Sequence, residues 1–200
     1  TKWGVQQDTM LHKMMCYINC TQQARLVAFI GDPAERLQLH LFTDADFAGS
    51  RSDMKSTSGA FLVLIGPNSF FPLGNYSKKQ TAQSHSAPEA ETVAADAGLR
   101  CVGIPSVDLW EILLGRKPTL NLYEDNEATQ QIIKNGKFPT LRHVKRVHGV
   151  SLMWLHEQCT DGGGDLYSLN DTTTDRQAAD IFTKHFINKE KWEHAANLVG

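Results

Sequence analysis

Residues 37–49 read LQLHLFTDADFAG, and how they are read decides the fold. Leu37, Leu39 and Leu41 alternate with Gln38, His40 and Phe42, the period-two pattern of a strand with one buried face. The run ends on Asp44 and Asp46, acidic side chains placed where a buried sheet has no use for charge. Upstream, Leu26–Ile30 followed by Gly31-Asp32-Pro33 predicts another short strand and a turn. Downstream, SGAFLVLI (58–65), the turn Gly66-Pro67-Asn68 and SFFPL (69–73) are spaced as antiparallel hairpins.

Beyond the hairpins the pattern changes to alternating helix and strand. The stretch S-A-P-E (86–89) has a capping-box arrangement, with Pro88 suited to a first turn, and predicts a helix running to Gly115 that Gly103 and Pro105 bend or split. TLNLY (119–123) predicts a strand, 126–135 a helix, and 143–158 another. The Gly162–Gly164 linker, the strand DLYSL (165–169), a helix from about 175 opened by T-D-R-Q (174–177), and an amphipathic helix over 189–198 complete the chain. At the N-terminus, Met10, Leu11, Met14, Met15 and Ile18 recur at helical spacing, so 6–19 is an amphipathic helix in need of a surface. Hairpins followed by strand–helix alternation predict an α/β architecture around a mixed sheet. The predicted organisation is an N-terminal helix and connecting segment over 1–36, the α/β domain over 37–188, and a C-terminal helix over 189–200.

Composition narrows the function. Two hundred residues with 41% apolar content suffice for one substantial core. No apolar run approaches the roughly 20 residues of a membrane span and no signal peptide is visible, which predicts a soluble chain with a cytoplasmic location. Cys16, Cys20, Cys101 and Cys159 lack the paired spacing of a structural zinc site and are too few for a disulfide scaffold. The net charge of −2 gives no bulk attraction to nucleic acid. Charge compensation of four carboxylates would leave a net +2, so a polyanionic substrate stays open.

Four acids stand at the edges of predicted elements: Asp44 at the end of its strand, Glu91 in the first turns of the helix from Ser86, Asp125 just after the strand 119–123, and Asp180 in the helix after T-D-R-Q. Taken singly, each has an ordinary explanation as a turn residue, a cap or a solvated helix acid. As a set they point to one site, because strand ends opening onto helices are where α/β sheets place their chemistry. Converging carboxylates repel by roughly 4 kcal/mol per pair at ~4 Å and an effective dielectric of about 20. All-oxygen ligands select hard ions, magnesium or manganese, and two such ions about 3.5–4 Å apart can hydrolyse a phosphodiester.

The motifs TDADFAG (43–49), RSDMKSTSGAF (51–61), YSKKQ (76–80), SAPEAETVAA (86–95), YEDNEA (123–128) and QAADIFTK (177–184), in this order, resemble the ribonuclease H domain of copia-type (LTR) retrotransposon Pol polyproteins. DTMLHKMMCYINCTQQARLV (8–27) is similar to the lead-in that precedes that domain. The resemblance implies a ribonuclease H-like fold with a five-stranded mixed sheet whose first three strands are antiparallel. It also implies an acidic tetrad of Asp44, Glu91, Asp125 and Asp180 that is both catalytic and metal-binding, with two Mg2+ or Mn2+ ions. The implied activity is endonucleolytic hydrolysis of the RNA strand of RNA–DNA hybrids during reverse transcription. The implied partners are the hybrid and the reverse transcriptase domain of the same polyprotein, with virus-like particles as a setting and no membrane.

Within that pattern Asp44 is expected as ligand over Asp46, and Glu91 over Glu89, which the capping box occupies. Glu124 stands where the family often has Cys, and residues 170–179 lack the histidine of many cellular ribonucleases H. Lys78 and Lys79 border the site in sequence and are expected to meet nucleic acid, whereas the basic run Arg142–His148 reads as a solvated face. Ser58, Gln80 and Asn126 are candidates for the 2′-hydroxyl contacts that distinguish RNA from DNA. The alternative reading is a catalytically decayed or repurposed module of the same fold that binds nucleic acid or a polymerase domain.

Overall fold

The computed structural model describes residues 3–161 and 167–200. The Gly162–Gly164 linker and the first two residues of the predicted strand 165–169 lie outside the described residues. Five strands form one sheet: β1 (Gln38–Asp46), β2 (Thr57–Gly66), β3 (Ser69–Lys79), β4 (Leu120–Glu124) and β5 (Tyr167–Asp171), in the order β3-β2-β1-β4-β5. The first three are antiparallel neighbours, while β4 joins β1 and β5 joins β4 in parallel. The five-stranded mixed sheet with an antiparallel first half is the arrangement expected of the ribonuclease H-like fold.

The hairpin between β2 and β3 closes at Gly66 opposite Ser69. Asp32 pins it, its carboxylate accepting from the Asn68 N–H at 2.6 Å and from Ser69 Oγ at 2.6 Å. This anchorage brings Phe29 alongside Phe70, and their backbones exchange hydrogen bonds of 2.8 and 2.9 Å. Leu26–Ile30 therefore contributes a single bridge to the sheet edge rather than the predicted strand. β3 runs six residues beyond the predicted Leu73, carried past Gly74 by an irregularity in the register at Leu62/Val63.

Helices cover both faces. On one lie α2 (Ala87–Gly98), α3 (Ile104–Leu114), α4 (Glu127–Asn135) and the short α5 (Val144–Val147) and α6 (Leu152–His156). Their core contacts include Leu39, Leu41, Leu62, Leu64, Leu120 and Leu122 from the sheet against Leu99, Ile132, Ile133 and Leu155. The other face carries Phe61 and Val63 against Ala178, with Leu198 and Val199 of α7 (Lys189–Val199) packed on them. α1 (Val5–Cys20) buries none of its residues, and Met10, Leu11, Met14, Met15 and Ile18 are all exposed. No helix of the described residues is long and apolar enough to cross a membrane.

Two predicted helices are corrected. The helix 143–158 is broken into α5, α6 and a wide π turn at Glu157–Asp161, because Gly149 adopts φ +75° and Ser151 starts afresh by capping the Trp154 N–H. The helix from 175 is instead two 3-10 segments, Thr174–Arg176 and Ala178–Phe182. The predicted box T-D-R-Q does not form there. Gln177 turns inward to donate to the Thr43 carbonyl at 2.9 Å, and Thr174 turns to Asp125. The interruption at Gly103 and Pro105 is absorbed by a π turn over Leu99–Gly103, which leaves Pro105 in the first turn of α3, where its missing N–H has no intrahelical partner to lose.

Small residues set how closely α2 approaches the sheet. Ala90 and Ala94 pack on Ala45, and a Cβ at Gly98 would lie 2.6 Å from Thr43 Cγ2 and 3.3 Å from Ala60 Cβ. Gly98→Val therefore overpacks this contact and is expected to cost about 1–3 kcal/mol. The urea midpoint reads the loss directly, and an unchanged midpoint would mean that the helix stands further from the sheet.

Candidate active site

β1 delivers Asp44 to the sheet face covered by the 3-10 segment Ala178–Phe182, whereas its neighbour Thr43 faces α2, as alternation requires. Asp44 is 1% exposed. One of its carboxylate oxygens accepts from Thr183 Oγ1, and the other lies 3.3 Å from Lys184 Nζ. Opposite Asp44 in the sheet stands Gly59, where a Cβ would come within 2.5 Å of Thr183 Cγ2 and 3.1 Å of the Ala179 carbonyl oxygen. The missing side chain is what lets the segment bearing Asp180 close over the strand end.

Asp180 hydrogen-bonds Lys184 Nζ at 2.6 Å. Burial drives its pKa up to about 6, Asp44 and Asp125 adding to the rise while Lys184 opposes it. Lys184 is itself held above the ordinary lysine value: burial would lower it, but Asp44 and Asp180 outweigh that cost. Asp46, on the same strand face as Asp44, is also raised, first by burial and then by Asp44.

α2 supplies Glu91. Ser86 Oγ caps the helix by accepting from the Glu89 N–H at 3.3 Å, which sets Glu91 in the second turn, buried against the strand ends. Its Oε2 is buried without a hydrogen-bond partner. An oxygen so placed has neither water nor a donor to stabilise negative charge. Burial, then Glu124, Asp44 and Asp125, push its pKa to about 10, with Lys184 pulling the other way.

Asp125 follows β4 and is half-buried, accepting from Thr174 Oγ1 at 3.2 Å. Its neighbour Glu124 is fully buried at the strand end, with Thr43 Oγ1 at 3.4 Å and the Asn126 N–H at 3.3 Å. Burial, then Asp125, holds the Glu124 pKa well above the carboxylate range. The fold thus brings Asp44, Glu91, Asp125 and Asp180 into one neighbourhood and adds Glu124 as a fifth acid.

Among the described residues no three acidic, His or Cys side chains are already drawn together closely enough to enclose a metal ion. The acids share a field rather than a finished coordination sphere. Even so, the donor set fits a hard divalent ion: every group is a carboxylate, and Glu91 Oε2 is an open acceptor inside the cluster.

No family model matches the chain. Solved structures with some similarity include the N-terminal RNase H domain of a Mycobacterium tuberculosis protein, at 15% identity and TM-score 0.43, covering 82% of this chain and 99% of that one. The PFV RNase H domain aligns at 15% identity and TM-score 0.44, over 82% and 93%. The NurA nuclease of Sulfolobus solfataricus aligns at 9% identity and TM-score 0.34, over 76% and 51%.

The expected nucleic-acid contacts divide in two. Lys78 and Lys79 are exposed at the end of β3, Lys79 held by Asp53 at 2.8 Å and by Ser50 Oγ at 2.8 Å. Ser58 and Gln80 are instead buried and joined to each other at 3.0 Å, while Gln80 also donates to the Ala90 carbonyl and accepts from Ser84. These bonds tie β2 and the end of β3 to α2 and place both side chains inside the packed domain. Asn126 caps α4, its side chain accepting from the Thr129 N–H at 3.1 Å.

Glu89 does more than close a cap. One carboxylate oxygen accepts from the His85 N–H at 3.0 Å, one residue earlier than the capping box predicts. The other lies 3.0 Å from His143 Nε2 and 3.2 Å from His148 Nε2. Glu89 and His148 are almost completely buried, so this part of the basic run is not a solvated face. The local capping pattern at 86–89 explains Glu89 fully on its own, which is why the sequence carries no cue to this longer-range role. Lys184 lies inside the motif QAADIFTK, and its position one helical turn after Asp180 is the cue that could have placed it in the site.

Proposed function

We propose that this domain is a metal-dependent endonuclease that hydrolyses the RNA strand of RNA–DNA hybrids, serving reverse transcription of a copia-type retrotransposon beside the reverse transcriptase domain of its polyprotein. The observation that carries this reading is the convergence of Asp44, Glu91, Asp125 and Asp180 from four separate elements onto a buried site where Glu91 keeps an unpartnered oxygen. Such an arrangement is unfavourable without a compensating cation. The six ordered motifs supply the substrate class.

Asp44, Glu91, Asp125 and Asp180 would hold two magnesium or manganese ions. When bound, the ions supply charge that activates a water and stabilises the departing oxygen of the phosphodiester. The chain's own residues provide the frame. Thr183 and Thr174 orient Asp44 and Asp125 by donating to them, and Gln177 locks the covering segment to β1. Gly59 allows that segment to close. Lys78, with Lys79 beside it paired to Asp53, presents positive charge on the β3 side of the domain, suited to phosphates and therefore sensitive to salt.

Incubation of the protein with a hybrid labelled on the RNA strand tests the proposal. RNA fragments are expected with magnesium or manganese and none with chelator, the DNA strand staying whole. Hybrid that is bound in the presence of metal but left uncut would replace the nuclease reading with that of a binding module.

A further inference from the structure

Lys184 Nζ sits 2.6 Å from Asp180 Oδ1 and 3.3 Å from Asp44 Oδ1, between two acids brought together from opposite ends of the domain. The two carboxylates are 14% and 2% exposed, whereas the lysine side chain is 35% exposed. The second oxygen of Asp44 is already occupied by Thr183. Across the site, Glu91 Oε2 has no donor at all. Positive charge inside the cluster is therefore distributed unevenly: the ammonium touches Asp44 and Asp180 directly and reaches Glu91 only at a distance.

We propose that Lys184 is a resident cation that fills the Asp44–Asp180 position in the metal-free protein and must leave it before a divalent ion can enter there. This rests on the reading of the acids as a divalent-cation site. A lysine ammonium is a compact point charge on a flexible four-carbon stem, so it can neutralise a carboxylate pair and still be withdrawn. A cleft of about 850 Å3, lined by Thr174, Gln177, Asp180, Lys184 and His194 among others, opens beside it and gives the withdrawn side chain room.

The two ion positions consequently fill unequally. Among the described residues the position beside Glu91 holds no side-chain cation to displace, whereas the one between Asp44 and Asp180 is weakened by the fraction of time that Lys184 occupies it. A competitor present nine-tenths of the time weakens apparent affinity about tenfold.

Titration of the whole chain with Mn2+ alone, followed by calorimetry without nucleic acid, tests this. Wild type is expected to bind one ion more tightly than a second, and Lys184→Met to tighten the weaker step by about tenfold. The metal-free melting temperature of the variant falls, since its acids lose their counter-charge, and saturating Mn2+ closes the gap. Lys184→Gln serves as a second neutral variant and is expected to behave in the same way. Mn2+ binding by wild type with no tightening in either variant overturns the role of Lys184 and leaves the metal-site reading standing. Failure of all three proteins to bind Mn2+ overturns both.

Discussion

Asp125→Asn is expected to leave the RNA strand of a hybrid uncut. The amide matches the carboxylate in volume and still offers an oxygen to Thr174 Oγ1, its only hydrogen bond given by a side chain among the described residues. Asp125 is half-buried and takes no part in the apolar core, so the fold survives the change. What disappears is one negative charge from a site whose proposed chemistry depends on holding divalent ions. Removing a single group that stabilises transition-state charge typically costs 10²–10³ in rate, and a lost metal ligand belongs at or beyond the upper end, about a thousandfold. Single-turnover cleavage with magnesium measures the rate, and circular dichroism checks the fold. Cleavage within about tenfold of wild type would remove Asp125 from the proposed ligand set.

The metal-free protein is expected to lose stability as pH rises, and Glu91→Gln to abolish much of that loss. Burial, then Glu124, Asp44 and Asp125, raise the Glu91 pKa from an ordinary 4.5 to about 10. A carboxyl group with a raised pKa binds its proton more tightly in the folded than in the unfolded chain. Its contribution is fully present below the unfolded value near 4.5 and is lost progressively as pH climbs toward the folded value. Asp180, raised to about 6, adds to the loss at the acidic end of the same window.

A tenfold difference in proton affinity between the folded and unfolded chain corresponds to about 1.4 kcal/mol. In a chain of this size, 1 kcal/mol moves the melting temperature by about 2–4 °C. At pH 8 in chelator, Glu91→Gln is therefore expected to melt several degrees above wild type, and magnesium to raise wild type more than the variant. A wild-type melting temperature that is flat between pH 5 and 9, with or without magnesium, would show that the acids do not strain the fold.

The sheet was legible where side chains alternate and turns are marked, as in Leu37–Leu41 and at Gly66–Asn68. It was not legible in the far half of β3, where Asn75–Lys79 is polar and largely exposed, so that backbone pairing with β2 holds it rather than a buried face. Phe29 failed as a strand because one anchored aspartate, Asp32, allows a single bridge and nothing more.

In the site, the positions of Asp44 and Asp125 followed from strand ends, and that of Glu91 from a helix cap. Asp180 was assigned to the right stretch but to a regular helix, because the inward turn of Gln177 to the Thr43 carbonyl depends on a strand 134 residues away. Ser58 and Gln80 stand next to motifs in the sequence and look available. Only the packed structure shows that each is the other's partner.

The two imidazoles on Glu89 make one corner of the domain indivisible. The helix that carries Glu91 and the stretch from His143 to His148 share a single buried oxygen. Exchange of Glu89 strands both imidazoles, whereas loss of either histidine leaves the other on the carboxylate, so Glu89 is the member of the three that cannot drift alone. Anyone transplanting the acid cluster into a different scaffold must carry that distant stretch with it.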